Sequence, residues 1–132
     1  LEEYNPDYDF LKVNKDSDIR KIIRDEILYF SDNILKINHY GFSQKRQILV
    51  TNKAIYNLDN KSLKRKIEIK IVKGVSTSNS SDEFVIHCFE LDHDYHYVSE
   101  RKRKIIQFIN NSYFFNKENF LPLCLIHNSS LT

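Results

Sequence analysis

Between Ile27 and Val98 the chain is a succession of short runs rich in β-branched and aromatic residues. Polar turn signals separate them about every 8–12 residues. The runs are Ile27–Phe30, Ile34–Ile37, Gln47–Thr51, Ala54–Leu58, Arg65–Ile69, Lys70–Ser76, Glu83–Phe89 and Tyr95–Val98. The first two read as one bent strand or as two strands, with Asp32-Asn33 as the bulge or turn between them. Arg65-Lys66-Ile67-Glu68-Ile69 alternates charge with isoleucine, the period of a half-buried strand. Ile105, Ile106, Ile109 and Tyr113 then switch to helical spacing, with Ser99 placed to cap. An antiparallel sheet of this many strands must curl or close to protect its edges, and a helix can plug an open end.

The expected fold is therefore mainly β with α: a seven-stranded antiparallel barrel or sandwich, a C-terminal capping helix and a short N-terminal helix. Residues 1–26 form an N-terminal arm and helix, started by Asp16-Ser17-Asp18 and carrying Ile19, Ile22 and Ile23 on one face. Residues 27–113 form the domain proper. Residues 114–132 are an apolar extension that packs back on the domain or docks a protein partner. At 132 residues, one domain with a real core is expected.

Charge is unevenly placed. Residues 36–73 hold ten bases and two acids, while residues 74–98 hold five acids and no base. The overall +2 therefore conceals a dipolar molecule with one block suited to concentrating an anionic partner. No run of 18 apolar residues spans a bilayer, and no secretory signal opens the chain. The start at Leu1 rather than Met reads as an excised piece. Cys88 and Cys124 lie in apolar runs and read as buried thiols in a reducing compartment. Asn79-Ser80-Ser81, Asn110-Asn111-Ser112 and Asn128-Ser129-Ser130 match the glycosylation pattern as an Asn-rich chain does by chance.

The strand order followed by a helix resembles a pleckstrin-homology fold. The resemblance sharpens over Lys36-Ile37-Asn38-His39-Tyr40-Gly41-Phe42-Ser43-Gln44-Lys45-Arg46 and on through Thr51-Asn52-Lys53-Ala54, which is similar to the lipid-binding tail-homology domain of class I myosins. Gly74–Ser78 and Asp82–His87 extend it. The remainder, with its Asn/Lys-rich composition, resembles free-standing protist domains of the apicomplexan acylated pleckstrin-homology family, which implies phosphatidic acid as ligand. The myosin resemblance implies that Lys36 and Arg46 hold a lipid headgroup. In that family two bases are separated by one residue; here Lys45 and Arg46 are adjacent. Which of the two points inward is left open.

The residues alone support the same chemistry. A phosphomonoester calls for Arg as a bidentate donor and Lys as a point charge. His39 adds a pH-dependent donor, and amides of the Gly41 loop allow close approach. Tyr40 and Phe42 suit a membrane interface. Lys64 and Arg65, with Lys61 and Lys66, lie on the next hairpin, either as a second wall of the site or as charge that attracts an anionic leaflet. The expected headgroup set is thus Lys36, His39, Lys45, Arg46, Lys64 and Arg65, serving an acidic phospholipid (phosphatidic acid or a phosphoinositide). The expected protein is a monomer, peripheral on the cytosolic face of a membrane.

No catalysis, cofactor or metal is expected. Glycine occurs only at 41 and 74, so no Gly-rich phosphate loop exists. His93 and His96, with Asp92 and Asp94, are the best metal-like cluster, but the spacing fits no common zinc site. His87 and Cys88 are adjacent and so face opposite ways on a strand. The rival readings are a protein-interaction module using 114–126 or a strand edge, and a nucleic-acid binder stacking bases on Tyr40, Phe42 and Tyr56. The acid-rich 74–98 segment argues against the second.

Overall fold

A computed structural model describes residues 3–89 and 94–126. Eight strands form one sheet: β1 Leu28–Ile37, β2 Ser43–Thr51, β3 Ala54–Asp59, β4 Ser62–Glu68, β5 Val72–Ser78, β6 Glu83–Cys88, β7 Tyr95–Val98 and β8 Leu123–Ile126. Their order is β4-β3-β2-β1-β7-β6-β5-β8, antiparallel throughout except for the parallel β5–β8 pair. Two helices accompany them, α1 Ser17–Ile23 and α2 Lys102–Lys117.

The expected seven-stranded barrel or sandwich is corrected to eight strands in an unclosed sheet with β4 and β8 at its edges. The eighth strand comes from the apolar extension, which lies back on the domain. The Val75 amide donates to Pro122 O at 2.9 Å, and Asn110 Oδ1 accepts the Leu121 amide at 3.0 Å. Gly74 makes that approach possible, because a Cβ there would stand 2.8 Å from Pro122 O. α2 itself runs on past residue 113 to Lys117.

β1 is a single long strand. Its irregularity lies between Leu28 and Phe30, not at Asp32-Asn33. Asp32 is instead held in regular pairing with Ile48 and accepts Arg101 Nη1 at 2.6 Å. Ser99 does not cap α2. Its hydroxyl accepts the Arg101 amide at 3.0 Å, two residues ahead of the cap position, and Arg101 at that position offers no side-chain bond. Two of the first-turn bases are ties within the fold. Arg101 lies 3.7 Å over the Phe10 ring, and the buried Lys102 ammonium donates to the carbonyls of Ser78 and Ser81. Burial foremost pushes the Lys102 pKa down.

The main core fills the space between one sheet face and α2, with Phe30, Ile34, Ile48, Ile55, Ile67, Phe84, Ile86 and Tyr97 meeting Ile105, Phe108 and Ile109. A second cluster buries the other face of β2 and β3: Leu49, Tyr56 and Leu58 lie under Val13, Ile19 and Ile23. Burial on both faces explains why Ile48-Leu49-Val50 reads as a continuous apolar run. α1 begins where Asp16 accepts the Asp18 and Ile19 amides at 3.1 and 3.3 Å.

The arm before α1 is docked through one carboxylate. Asp9 Oδ1 accepts the Ser31 hydroxyl (2.6 Å) and the Val13 amide (2.8 Å); Oδ2 accepts the Tyr4 hydroxyl (2.8 Å) and the Asn14 amide (3.1 Å). Burial alone would raise the Asp9 pKa. The bonds from Ser31, Asn14, Val13 and Tyr4 together outweigh it and hold the pKa below the usual carboxylate range. Of the two thiols, Cys88 is buried and its pKa is pushed up to about 11, mainly by that burial. Cys124 is exposed on edge strand β8, contrary to the expectation of burial.

Candidate headgroup site on the inner face of the sheet

Directly paired residues on neighbouring strands share a face, and alternate residues along a strand do too. Ile34 defines the inner, core-facing side of β1. Arg46 pairs with Ile34, so Arg46 is on the inner face and Lys45, paired with Leu35, is on the outer. Lys36, two residues on from Ile34, is inner and pairs with Tyr97 of β7. Asn57 pairs with inner-facing Ile48, and Arg65 pairs with Asn57. The register therefore carries cations from β1, β2 and β4 onto one surface.

The three act on one another electrostatically. Lys36 is part-buried, and its pKa is pushed down first by burial, then by Arg46, then by Arg65. Burial raises the hydroxyl pKa values of Tyr95 and Tyr97. Arg65 pulls against that rise at Tyr95 and Arg46 does so at Tyr97. Arg46 lies 3.7 Å from Asp59, and among the described residues Lys36 and Arg65 have no ion pair. Two buried polar atoms on the same face, Asn57 Oδ1 and Tyr97 Oη, lack a hydrogen-bond partner among the described residues. Such orphans are uncommon in a finished core.

The β1–β2 loop projects from the end of this surface. Asn38 organises it: Oδ1 accepts the Tyr40 and Phe42 amides at 3.0 Å each, and its carbonyl accepts the Gly41 amide at 2.9 Å. Gly41 takes φ +87°, which favours glycine. These amides are spent inside the loop, so the expectation that they receive the headgroup is corrected. What the loop presents is two rings, Tyr40 at 74% and Phe42 at 69% exposure.

Of the six expected bases, the register puts Lys36, Arg46 and Arg65 on one face. Lys45 faces outward. Lys64 is exposed, at the register shift between the Asn57–Arg65 and Leu58–Leu63 pairs. His39 stacks on Tyr40 at 4.0 Å and lines a separate hollow with Lys36, Asp94 and His96. Lys61 is engaged by Asp16 at 2.8 Å, and Lys66 lies 5.7 Å over the outer-facing Tyr56 ring. Asn38, Asn57 and Tyr97 were not among the expected site residues. The turn-forming Asn-His-Tyr-Gly run signals the first, but nothing local signals the others, which join by cross-strand register. No group of three or more His, Cys, Asp or Glu is placed to hold a metal among the described residues. His93 and Asp92 lie outside them, and His96 is engaged by Glu83 at 2.9 Å. No helix among the described residues is long and apolar enough to cross a membrane.

The fold defined by this sheet and helix is pleckstrin-homology-like: the chain superposes on the N-terminal PH domain of human ARAP2 with a TM-score of 0.58 at 14% identity, covering 77% of this chain and 90% of that one. Residues 6–127 match the family described as "Unconventional myosin tail, actin- and lipid-binding", and the chain belongs to that family. Human unconventional myosin-Ih is 35% identical over 69 residues, 52% of this chain and 7% of that protein. Myosin IA heavy chain of Dictyostelium discoideum is 28% identical over 120 residues, 80% of this chain and 12% of that protein. The chain thus spans only a small part of the length of these relatives.

Proposed function

We propose that this chain binds the phosphorylated headgroup of an acidic phospholipid and so places the protein on an anionic membrane surface. The placement of Lys36, Arg46 and Arg65 on one face, with Lys36 and Arg65 in no ion pair among the described residues, carries this reading. Arg46 and Arg65 supply planar donor forks and Lys36 a point charge, the combination a phosphomonoester accepts. Lipid binding in the family's description supports it. Tyr40 and Phe42 enter the interface beside the site, and the basic 36–73 block supplies longer-range attraction.

Phosphatidic acid and a phosphoinositide both offer the phosphomonoester that this site takes. The arrangement over three strands suits the larger, multiply phosphorylated headgroup, while the resemblance to acylated protist domains implies phosphatidic acid. Sedimentation with phosphatidylcholine vesicles containing phosphatidic acid, phosphatidylserine or a phosphoinositide separates these. The reading expects binding to a monoester-bearing lipid above phosphatidylserine. Equal binding to all three at matched charge would reduce the site to unspecific attraction.

A further inference from the structure

We propose that Ser76, His87 and Asp94 form a nucleophilic site on the outer face of β5 and β6 beside the start of β7, in which Ser76 accepts acyl groups from short esters. Val75 and Ile86 point into the core, so Ser76 and His87 point outward from neighbouring strands. Ser76 Oγ stands 2.6 Å from His87 Nε2, and His87 Nδ1 stands 2.6 Å from Asp94 Oδ2. A carboxylate oxygen accepts, so Nδ1 carries a proton, and in the neutral ring Nε2 is left to accept from the Ser76 hydroxyl. Asp94 is steadied in turn, because its Oδ1 accepts the Cys88 amide at 3.4 Å. Nucleophile, base and orienting acid thus fall in the order and at the separations that acyl transfer needs.

Room for a substrate lies beside it. Gly74 sits opposite His87 and has no side chain, and a cleft of about 220 Å³ opens there. Pro122, Leu123 and Cys124 of the β8 segment form its other wall. The size and the apolar lining fit a short acyl chain. Ser76 Oγ attacks the ester carbonyl carbon as His87 Nε2 takes its proton. Collapse of the tetrahedral adduct breaks the bond to the leaving alcohol, which receives that proton from Nε2. Water then adds to the acyl-serine with His87 again as base, releasing the carboxylic acid and restoring Ser76.

The test uses the full chain with Cys124→Ser, since an exposed thiol in the cleft reacts with activated esters by itself. A fluorophosphonate probe with peptide mapping, and p-nitrophenyl acetate hydrolysis, are followed in that parent and in Ser76→Ala, His87→Gln and Asp94→Asn. The expected results are a fluorophosphonate adduct on Ser76 and a hydrolysis rate lowered about 100-fold by His87→Gln. An unlabelled Ser76, or Ser76→Ala and His87→Gln proteins that hydrolyse at the parent rate, would overturn the proposal and leave the three residues as a tie between strands. Neither readout involves vesicles, so the outcome is independent of headgroup binding.

Discussion

At position 36 an ammonium group is held part-buried beside two guanidinium groups, and the folded chain binds its proton less tightly than the unfolded chain does. Stability therefore rises with pH as Lys36 passes through its lowered folded-state pKa, and falls below it. An anion in the site reverses the penalty. Headgroup binding should raise the Lys36 pKa and take up protons, and affinity should fall as pH rises through the free-state value. Nζ-detected NMR titration with and without inositol trisphosphate checks this; an unmoved Lys36 would place the headgroup elsewhere. Lys36→Met should lower vesicle affinity about tenfold, the loss of one charge-assisted bond of about 1.5 kcal/mol. It should also raise the melting temperature by removing a part-buried charge and, with it, the repulsion from Arg46 and Arg65.

Among the elements, the docked arm and the added strand make the clearest predictions. Asp9→Ala leaves Ser31, Val13 and Asn14 donors without their acceptor and should cost about 2 kcal/mol in denaturant unfolding. The Asp9 pKa is lowered on folding, so its stabilisation is present above the unfolded carboxylate value and is lost as pH falls through the folded one. In Asp9→Asn that acid-induced loss should shrink. Gly74→Val would drive a Cβ to within 2.8 Å of Pro122 O and should free β8, seen as lost hydrogen-exchange protection at the Val75 amide. Strands such as β4 and β7 were legible because period-2 patterning and flanking turns agree there. β8 was not: a short apolar run beside Pro122 has no period to read, and its pairing depends on a glycine 48 positions earlier. The site was legible in part for the same reason. Lys36 and Arg46 lie on recognisable local sequence, whereas the separation of Arg46 from Lys45, and of Arg65 from Lys64, is settled by register with β1 and β3.

For the whole molecule, the question is whether the +8 segment acts as a diffuse field or through a built site. A diffuse field is screened by salt and indifferent to which lysine is reversed. A built site is not indifferent, because part-buried cations keep their interactions where exposed ones lose them. The most direct measurement compares two charge-matched double variants, Lys36→Glu/Arg46→Glu and Lys45→Glu/Lys64→Glu, for binding to phosphoinositide vesicles at physiological salt, after circular dichroism confirms that both are folded. The inner-face pair should lose binding by about 100-fold or more, two charge-assisted contacts together, while the outer pair should lose severalfold at most. Equal losses in the two proteins would contradict a built site.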